Sequence, residues 1–174
     1  MLLLEMQNKF MKKLLFLFSL VIAVGCSNAQ SPTFTPPSAI PPYHILNTDS
    51  VYVTPANLKK NKATMIVYFA PDCSHCQHLM YELKPQMKAL KNIQVVMVTF
   101  VQQLKAIQVF YRDFSLKNYP NFTVGTEYPT YKVQQYYQVR TTPYIALYDK
   151  NGKLAKSYEK APPVADLVAE VKKL

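Results

Sequence analysis

Cysteine is scarce in this chain, three residues in 174, at positions 26, 73 and 76. So few thiols exclude a disulfide-stapled scaffold, and with one of them in the leader they exclude a four-cysteine zinc site. Long apolar runs are missing too. Leu14 to Val24, interrupted only by Ser19, makes eleven residues, against the roughly 20 that a membrane-spanning helix needs. Acidic residues are outnumbered, ten against 20 Lys and Arg, for a formal net charge of +10. The lysines are scattered singly and in pairs and no Gly/aromatic RNA-binding signature accompanies them. Most therefore read as solvated faces, and nucleic acid is not an expected partner. Attraction to anionic lipid headgroups or to acidic partner proteins is the weaker reading of the same charge. No internal repeat is present, which excludes a solenoid or propeller.

What is present begins with an export signal. Lys9, Lys12 and Lys13 form a basic segment ahead of the Leu14–Val24 run, so residues 1–25 read as a signal peptide, with translation starting at Met1, Met6 or Met11. Two cleavage sites are open. Ala23-Val24-Gly25-Cys26 is similar to a bacterial lipobox, which would leave Cys26 lipidated at the mature N-terminus. Ser27-Asn28-Ala29 is a small-x-small site for ordinary signal peptidase. The lipoprotein reading gives the lone Cys26 a role, whereas a leftover thiol in an exported chain would be a liability. Removing residues 1–25 takes away Lys9, Lys12, Lys13 and Glu5 and leaves 17 basic against nine acidic residues, a net +8.

Residues 26–42 carry Pro32, Pro36, Pro37, Pro41 and Pro42 and no charge between Ser31 and Pro42, the composition of an extended polyproline-type tether. At about 3.1 Å per residue it would hold a domain roughly 35 Å from an anchored Cys26. The folded domain is expected over 43–174, with strands and helices in alternation. His44–Leu46 and Val51–Val53 read as a hairpin, and Thr54-Pro55 as the cap of a one-turn helix. Met65–Ala70 reads as a fully buried strand. A helix from about Ser74 to Leu90 carries Leu79, Leu83, Met87 and Leu90 on one stripe, with a kink at Pro85. A strand follows over Ile93–Val101, then a helix with Leu104, Ile107, Tyr111 and Phe114 at helical spacing. Tyr119–Val124 reads as a strand or loop and Tyr131–Tyr137 as a short helix. Tyr144–Tyr148 and Leu154–Glu159 are strands joined by the turn Asp149–Gly152, and a helix over Pro163–Leu174 closes the chain.

The chemistry sits where the Met65–Ala70 strand gives way to a helix, at Cys73-Ser74-His75-Cys76. A thiol at a helix start faces free backbone N–H groups and the positive end of the macrodipole, which stabilises its thiolate, so Cys73 is the expected nucleophile. Cys76, three residues on, lies about one turn along the same helix and can resolve a mixed disulfide formed at Cys73. Ser74 and His75 are the expected tuning residues. A donor from His75 would favour the Cys73 thiolate and make the couple more oxidising than one with an apolar or Pro-containing dipeptide. A purely structural bridge is a poor alternative, because closing so short a loop removes little chain entropy.

With those residues in place the chain resembles the exported thioredoxin-like proteins of the TlpA/ResA type, from about Tyr43 to Leu174. The match rests on the hairpin ahead of Leu58-Lys59-Lys60, the strand and motif from Val67 to Cys76, the Thr141-Thr142-Pro143 segment before a strand, and the turn Asp149–Gly152. The resemblance implies an α/β thioredoxin-like fold, a central mixed sheet flanked by helices with an N-terminal hairpin extension. It also implies a cis Pro143 facing the disulfide, with Thr142 offering backbone groups to an extended substrate. Two positions depart from the wider superfamily. The buried Asp that cytoplasmic thioredoxins carry six residues before the first Cys is Val67 here, and their usual Trp is Phe69, the chain having no Trp at all. That leaves Cys76 without an evident proton acceptor.

Two classes of function follow. One is a periplasmic thiol–disulfide oxidoreductase with no cofactor beyond the Cys73–Cys76 disulfide, exchanging with exported protein thiols and disulfides. It would take electrons from, or give them to, a membrane partner, act as a monomer, and run as reductase or as oxidase/isomerase. The other is a metal-binding or metallochaperone module using Cys73, Cys76 and His78. A peroxidase is disfavoured, since Tyr68–Asp72 lacks the Thr such a site places ahead of its Cys. The expected location is the bacterial cell envelope facing the periplasm, lipid-anchored through Cys26 or soluble.

Overall fold

The computed structural model describes residues 34–174, together with residues 5–7, 9 and 11. The remainder of the expected signal peptide, Cys26 and both expected cleavage sites lie outside the described residues. The chain divides into two units, Met1–Thr35 and Pro36–Leu174. In the first, the described positions 5–7, 9 and 11 are helical; the sheet and the site belong to the second.

The second unit is built on β3 (Thr64–Phe69), whose run of Met, Ile, Val, Tyr and Phe is buried at every position. Such a strand has no solvated face and so must lie inside a sheet covered on both sides. It pairs parallel with β4 (Gln94–Thr99) and antiparallel with β6 (Tyr144–Tyr148). The whole sheet has the order β2-β1-β5-β4-β3-β6-β7. β5 (Phe122–Thr126) continues the parallel set, while β1 (Ile45–Asn47) and β2 (Tyr52–Val53) form the hairpin at one edge and β7 (Leu154–Tyr158) the other. The β1–β2 turn is held by the Asn47 side chain, which accepts from Asp49 N at 3.0 Å and Val51 N at 2.9 Å. The β6–β7 turn uses Asp149 in the same way on Asn151 N and Lys153 N, and closes on Gly152 at φ +76°.

Alternation along β3 divides the core into two layers. Met65, Val67 and Phe69 face one layer, where α1 (Ser74–Leu83), α2 (Leu104–Asp113) and α4 (Val164–Val171) bury Leu79, Ile107, Phe110 and Leu167. Ile66 and Tyr68 face the other, with Val133 and Tyr137 of α3 (Lys132–Tyr137) and the rings of Tyr144 and Tyr148. Most of the aromatic content is packing of this kind.

Two expectations need correction. The helix expected over Ser74–Leu90 ends as an α-helix at Leu83 and runs on as a 3-10 segment, Lys84–Leu90. Pro85 is the cause, since it brings no N–H and its ring clashes with the carbonyl four residues back. The stripe nonetheless persists, with Leu79, Leu83, Met87 and Leu90 all buried. The tether expected to run free to Pro42 docks on the domain from Ser38. Its Ser38 carbonyl accepts from Leu154 N at 2.7 Å, Ala39 bridges to Lys153, and Tyr136 Oη donates to the Ala39 carbonyl at 2.6 Å. These contacts cover part of the β7 edge, which would otherwise offer unpaired backbone groups.

Gly125 of β5 is needed for close approach rather than for an unusual φ. A Cβ there would lie 2.6 Å from the Leu46 carbonyl oxygen, backbone that cannot step aside. Gly125→Ala is therefore expected to part β1 from β5 and cost about 1–3 kcal/mol. Urea unfolding would read the loss, with faster amide exchange confined to the Ile45–Val53 hairpin.

Candidate active site

Cys73 is the N-cap of α1, at φ −76° and ψ 116°, and its sulfur accepts from Cys76 N at 3.4 Å. The approach from β3 is fixed by Cys73 N donating to Ala70 O at 3.2 Å, and by Gln77, whose Nε2 donates to Pro71 O at 2.8 Å. Cys73 is partly exposed and Cys76 is 1% exposed; both are free thiols. Ser74 and His75 are exposed on the first turn.

The segment 69 residues away in sequence arrives through the β3–β6 pairing. Tyr68 lies beside Tyr144, so the end of β3 that leads into the motif adjoins the start of β6. Cys73 Sγ is 3.5 Å from the Thr142 carbonyl oxygen, to which the thiol donates. The Thr142–Pro143 peptide is cis, as is Tyr128–Pro129, and Pro143 is buried immediately ahead of β6. Thr142 and Pro143 thus stand beside the motif.

The two thiols are held differently. Desolvation pushes Cys73 up, but the Cys76 thiol, the Thr142 hydroxyl and the backbone N–H groups of Cys76 and His75 together outweigh it and leave its pKa below the ordinary value. Burial pushes Cys76 up to about 12, helped by its hydrogen bond to Cys73. His75 thus supports Cys73 through its backbone N–H, a donor that any residue except proline supplies. The face below Cys76 is apolar, with Val67 and Leu79 in the same cluster, so the position of the thioredoxin Asp offers no proton acceptor. His78 is turned to Glu82, 3.5 Å away on the next turn. Among the described residues no three His, Cys, Asp or Glu side chains converge, so the metal module has no ligand set there.

One structural residue went unread in the sequence. Glu127, just past β5, is 1% exposed. Its carboxylate accepts from Tyr68 Oη at 2.9 Å, Val133 N at 2.6 Å and Gln134 N at 3.1 Å. It therefore ties β3 to the start of α3, the helix from which the chain continues through Arg140 to Thr142. Standing five residues ahead of Lys132, it lies outside the N-cap and N3 spacing by which sequence announces a helix start.

A thioredoxin-like family model matches residues 54–174. No curated protein matches the sequence. Among solved structures, a secreted disulfide oxidoreductase of Mycobacterium tuberculosis superposes with a TM-score of 0.64 at 18% identity, over 76% of this chain and 96% of that one. A thiol-disulfide oxidoreductase of Bacteroides fragilis gives 0.63 at 16%, over 78% and 99%. An exposed lipoprotein thioredoxin of Streptococcus pneumoniae gives 0.60 at 21%, over 76% and 98%. At these identities the structures share the fold. The chain belongs to the thioredoxin-like family, and with a dithiol at the start of α1 it is a thiol–disulfide oxidoreductase of that type.

The split between the thiols makes a measurable difference near pH 7. A group at about 12 has at least roughly a thousandfold less thiolate than one below 9. Cys73 is expected to alkylate first, by less than the thiolate ratio because the thiolate of higher pKa is the better nucleophile, its rate climbing with pH and levelling once the thiol is ionised, while Cys76 follows only at alkaline pH. His75→Pro, tolerated in a first helical turn, should slow Cys73 at pH 7, and His75→Ala should not. Equal slowing by both would return the effect to the ring.

Proposed function

We propose that this chain exchanges disulfides with exported proteins on the periplasmic side of the bacterial envelope, with Cys73 as nucleophile and Cys76 as resolving thiol. The observation that carries the reading is the asymmetry of the pair: an accessible, acidified Cys73 beside a backbone carbonyl that an extended chain can pair with, and a buried Cys76 one turn behind. The Cys73 thiolate attacks one sulfur of a substrate disulfide; a mixed disulfide forms and the other substrate sulfur leaves as thiolate. Cys76 then gives up its proton to the substrate thiolate released in the first step, directly or through water, and attacks Cys73 Sγ, releasing the second substrate thiolate. Two electrons have passed to the substrate and the Cys73–Cys76 disulfide remains. A membrane electron donor restores the dithiol, or, run from the disulfide, the same steps oxidise a substrate dithiol and a membrane acceptor takes the electrons. The donors on Cys73 stabilise the reduced form and so lean the couple toward the oxidising side.

Export and anchoring rest on the leader. The basic segment, the short apolar run and Ala23-Val24-Gly25-Cys26 support lipidation at Cys26, with the proline-rich stretch as spacer. Among the described residues no helix is long and apolar enough to cross a membrane. An exposed lipoprotein thioredoxin of Streptococcus pneumoniae has this fold, which supports the anchored reading.

Cys76→Ser is expected to accumulate mixed disulfides between Cys73 and envelope proteins, visible as thiol-sensitive bands on non-reducing gels; their absence, with Cys73 still alkylatable, would remove the exchange reading. Cys26→Ala is expected to shift the protein from the membrane to the soluble fraction or to leave it unprocessed. Unchanged mass and partitioning would argue against the lipid anchor.

A further inference from the structure

Two cavities flank the motif, and their charges differ. On the side of Pro71 and Asp72, a cavity of about 580 Å³ is lined by two carboxylates, Asp72 and Asp113, against one cation, Lys105. On the side of Thr142 and Pro143, a larger groove of about 950 Å³ has Arg140 and Lys160 on its walls against one carboxylate, Glu82. Glu82 already has a partner in His78 at 3.5 Å. Arg140 and Lys160 have no ion pair among the described residues, as is true of most of the described lysines. The two cations also stand on adjoining loops, because Thr141 Oγ1 donates to the Glu159 carbonyl at 3.2 Å. The basic lining of this groove thus contrasts with the acidic lining of the cavity on the other side of the motif.

The rest of the groove is apolar. Tyr68, Leu79, Phe100, Val139 and Pro143 line it. Phe100 is 40% exposed and lies over the Tyr68 ring with centroids 6.3 Å apart, an aromatic step open to a ligand beside the redox motif. A chain that pairs with Thr142 while its sulfur meets Cys73 would be extended, and side chains two apart in an extended chain share a face, about 7 Å apart. Arg140 and Thr142 line the same groove, so the guanidinium stands where a residue flanking the substrate cysteine would lie. Arg also pairs with carboxylates bidentately.

We propose that the groove selects substrates whose disulfide cysteine is flanked by an apolar residue, seated on Phe100, and by acidic residues, held by Arg140 and Lys160. This selectivity rests on the disulfide-exchange reading above. Selection of this kind acts mainly on encounter and orientation, and so on the rate of Cys73 attack.

The test uses the reduced full chain and three synthetic peptides that each carry one cysteine as a mixed disulfide with mercaptoethanol beside a Phe. They differ only in two flanking residues, Asp-Asp, Asn-Asn or Lys-Lys. The second-order rate constant is expected to fall from the acidic to the basic peptide by about tenfold at low ionic strength, the order of two partly exposed ion pairs. The spread should shrink in about 0.5 M salt. Arg140→Glu/Lys160→Glu should reverse the order. Lys117→Glu/Lys150→Glu, the same change of net charge outside the groove, should keep it. Equal rates for the three peptides, or an order that survives the groove variant, would overturn the proposal while leaving disulfide exchange standing. Failure to attack any of the three would overturn the exchange reading and this one with it.

Discussion

Cys73 meets the Thr142 carbonyl because β3 and β6 run antiparallel in a register that sets Tyr68 beside Tyr144. That register is not free to slip. A shift by one residue would turn Met65, Val67 and Phe69 out of the layer beneath α1 and replace them with Ile66 and Tyr68, whose partners lie on the other side of the sheet. Burial of β3 on both faces therefore does more than stabilise the sheet. It fixes, to within a side chain, where the motif stands against the Thr142–Pro143 segment.

Burial also sorts the thiols. The turn Ala70–Cys73 leaves the first sulfur at the helix start, where N–H groups and the Thr142 hydroxyl can solvate an anion, while one turn of helix carries the second into an apolar layer. No charged group is needed in that layer to make the difference, because desolvation alone penalises the Cys76 thiolate. Val67 in place of a carboxylate is consistent with this arrangement. It leaves the motif's own hydrogen bonds as the main means by which the protein biases its couple.

The second layer has a polar counterpart in Glu127. A carboxylate this buried is tolerated only when its acceptor sites are filled, and here a phenol and two backbone N–H groups fill them. The residue joins the strand that leads into the motif to the helix that leads toward Thr142, so the two halves of the site share a fixed connection behind the sheet as well as the register within it.

Much of this was legible in the residues. The continuous apolar run of β3 announced a central strand, the proline at 85 announced a kink where the structure ends the α-helix outright, and Asp149–Gly152 announced a hairpin. The cysteine spacing announced the chemistry, because one helical turn between two thiols depends only on local geometry. Left to the fold were the features that join distant positions. The tether's docking on β7 needed an edge to dock on, and Glu127 needed Tyr68 and the start of α3 brought to it. Which donor of His75 serves Cys73 was also beyond the sequence, since the exposed side chain of the first turn leaves the backbone N–H as the group that supports the thiolate. The sequence by itself determined the strand, the helix start and the pair of thiols, all set by propensity, periodicity and spacing within about ten residues. Only the tertiary structure decided the carbonyl beside Cys73, the apolar layer around Cys76 and the two neighbouring cations of the groove, since each depends on contacts between segments far apart in the chain.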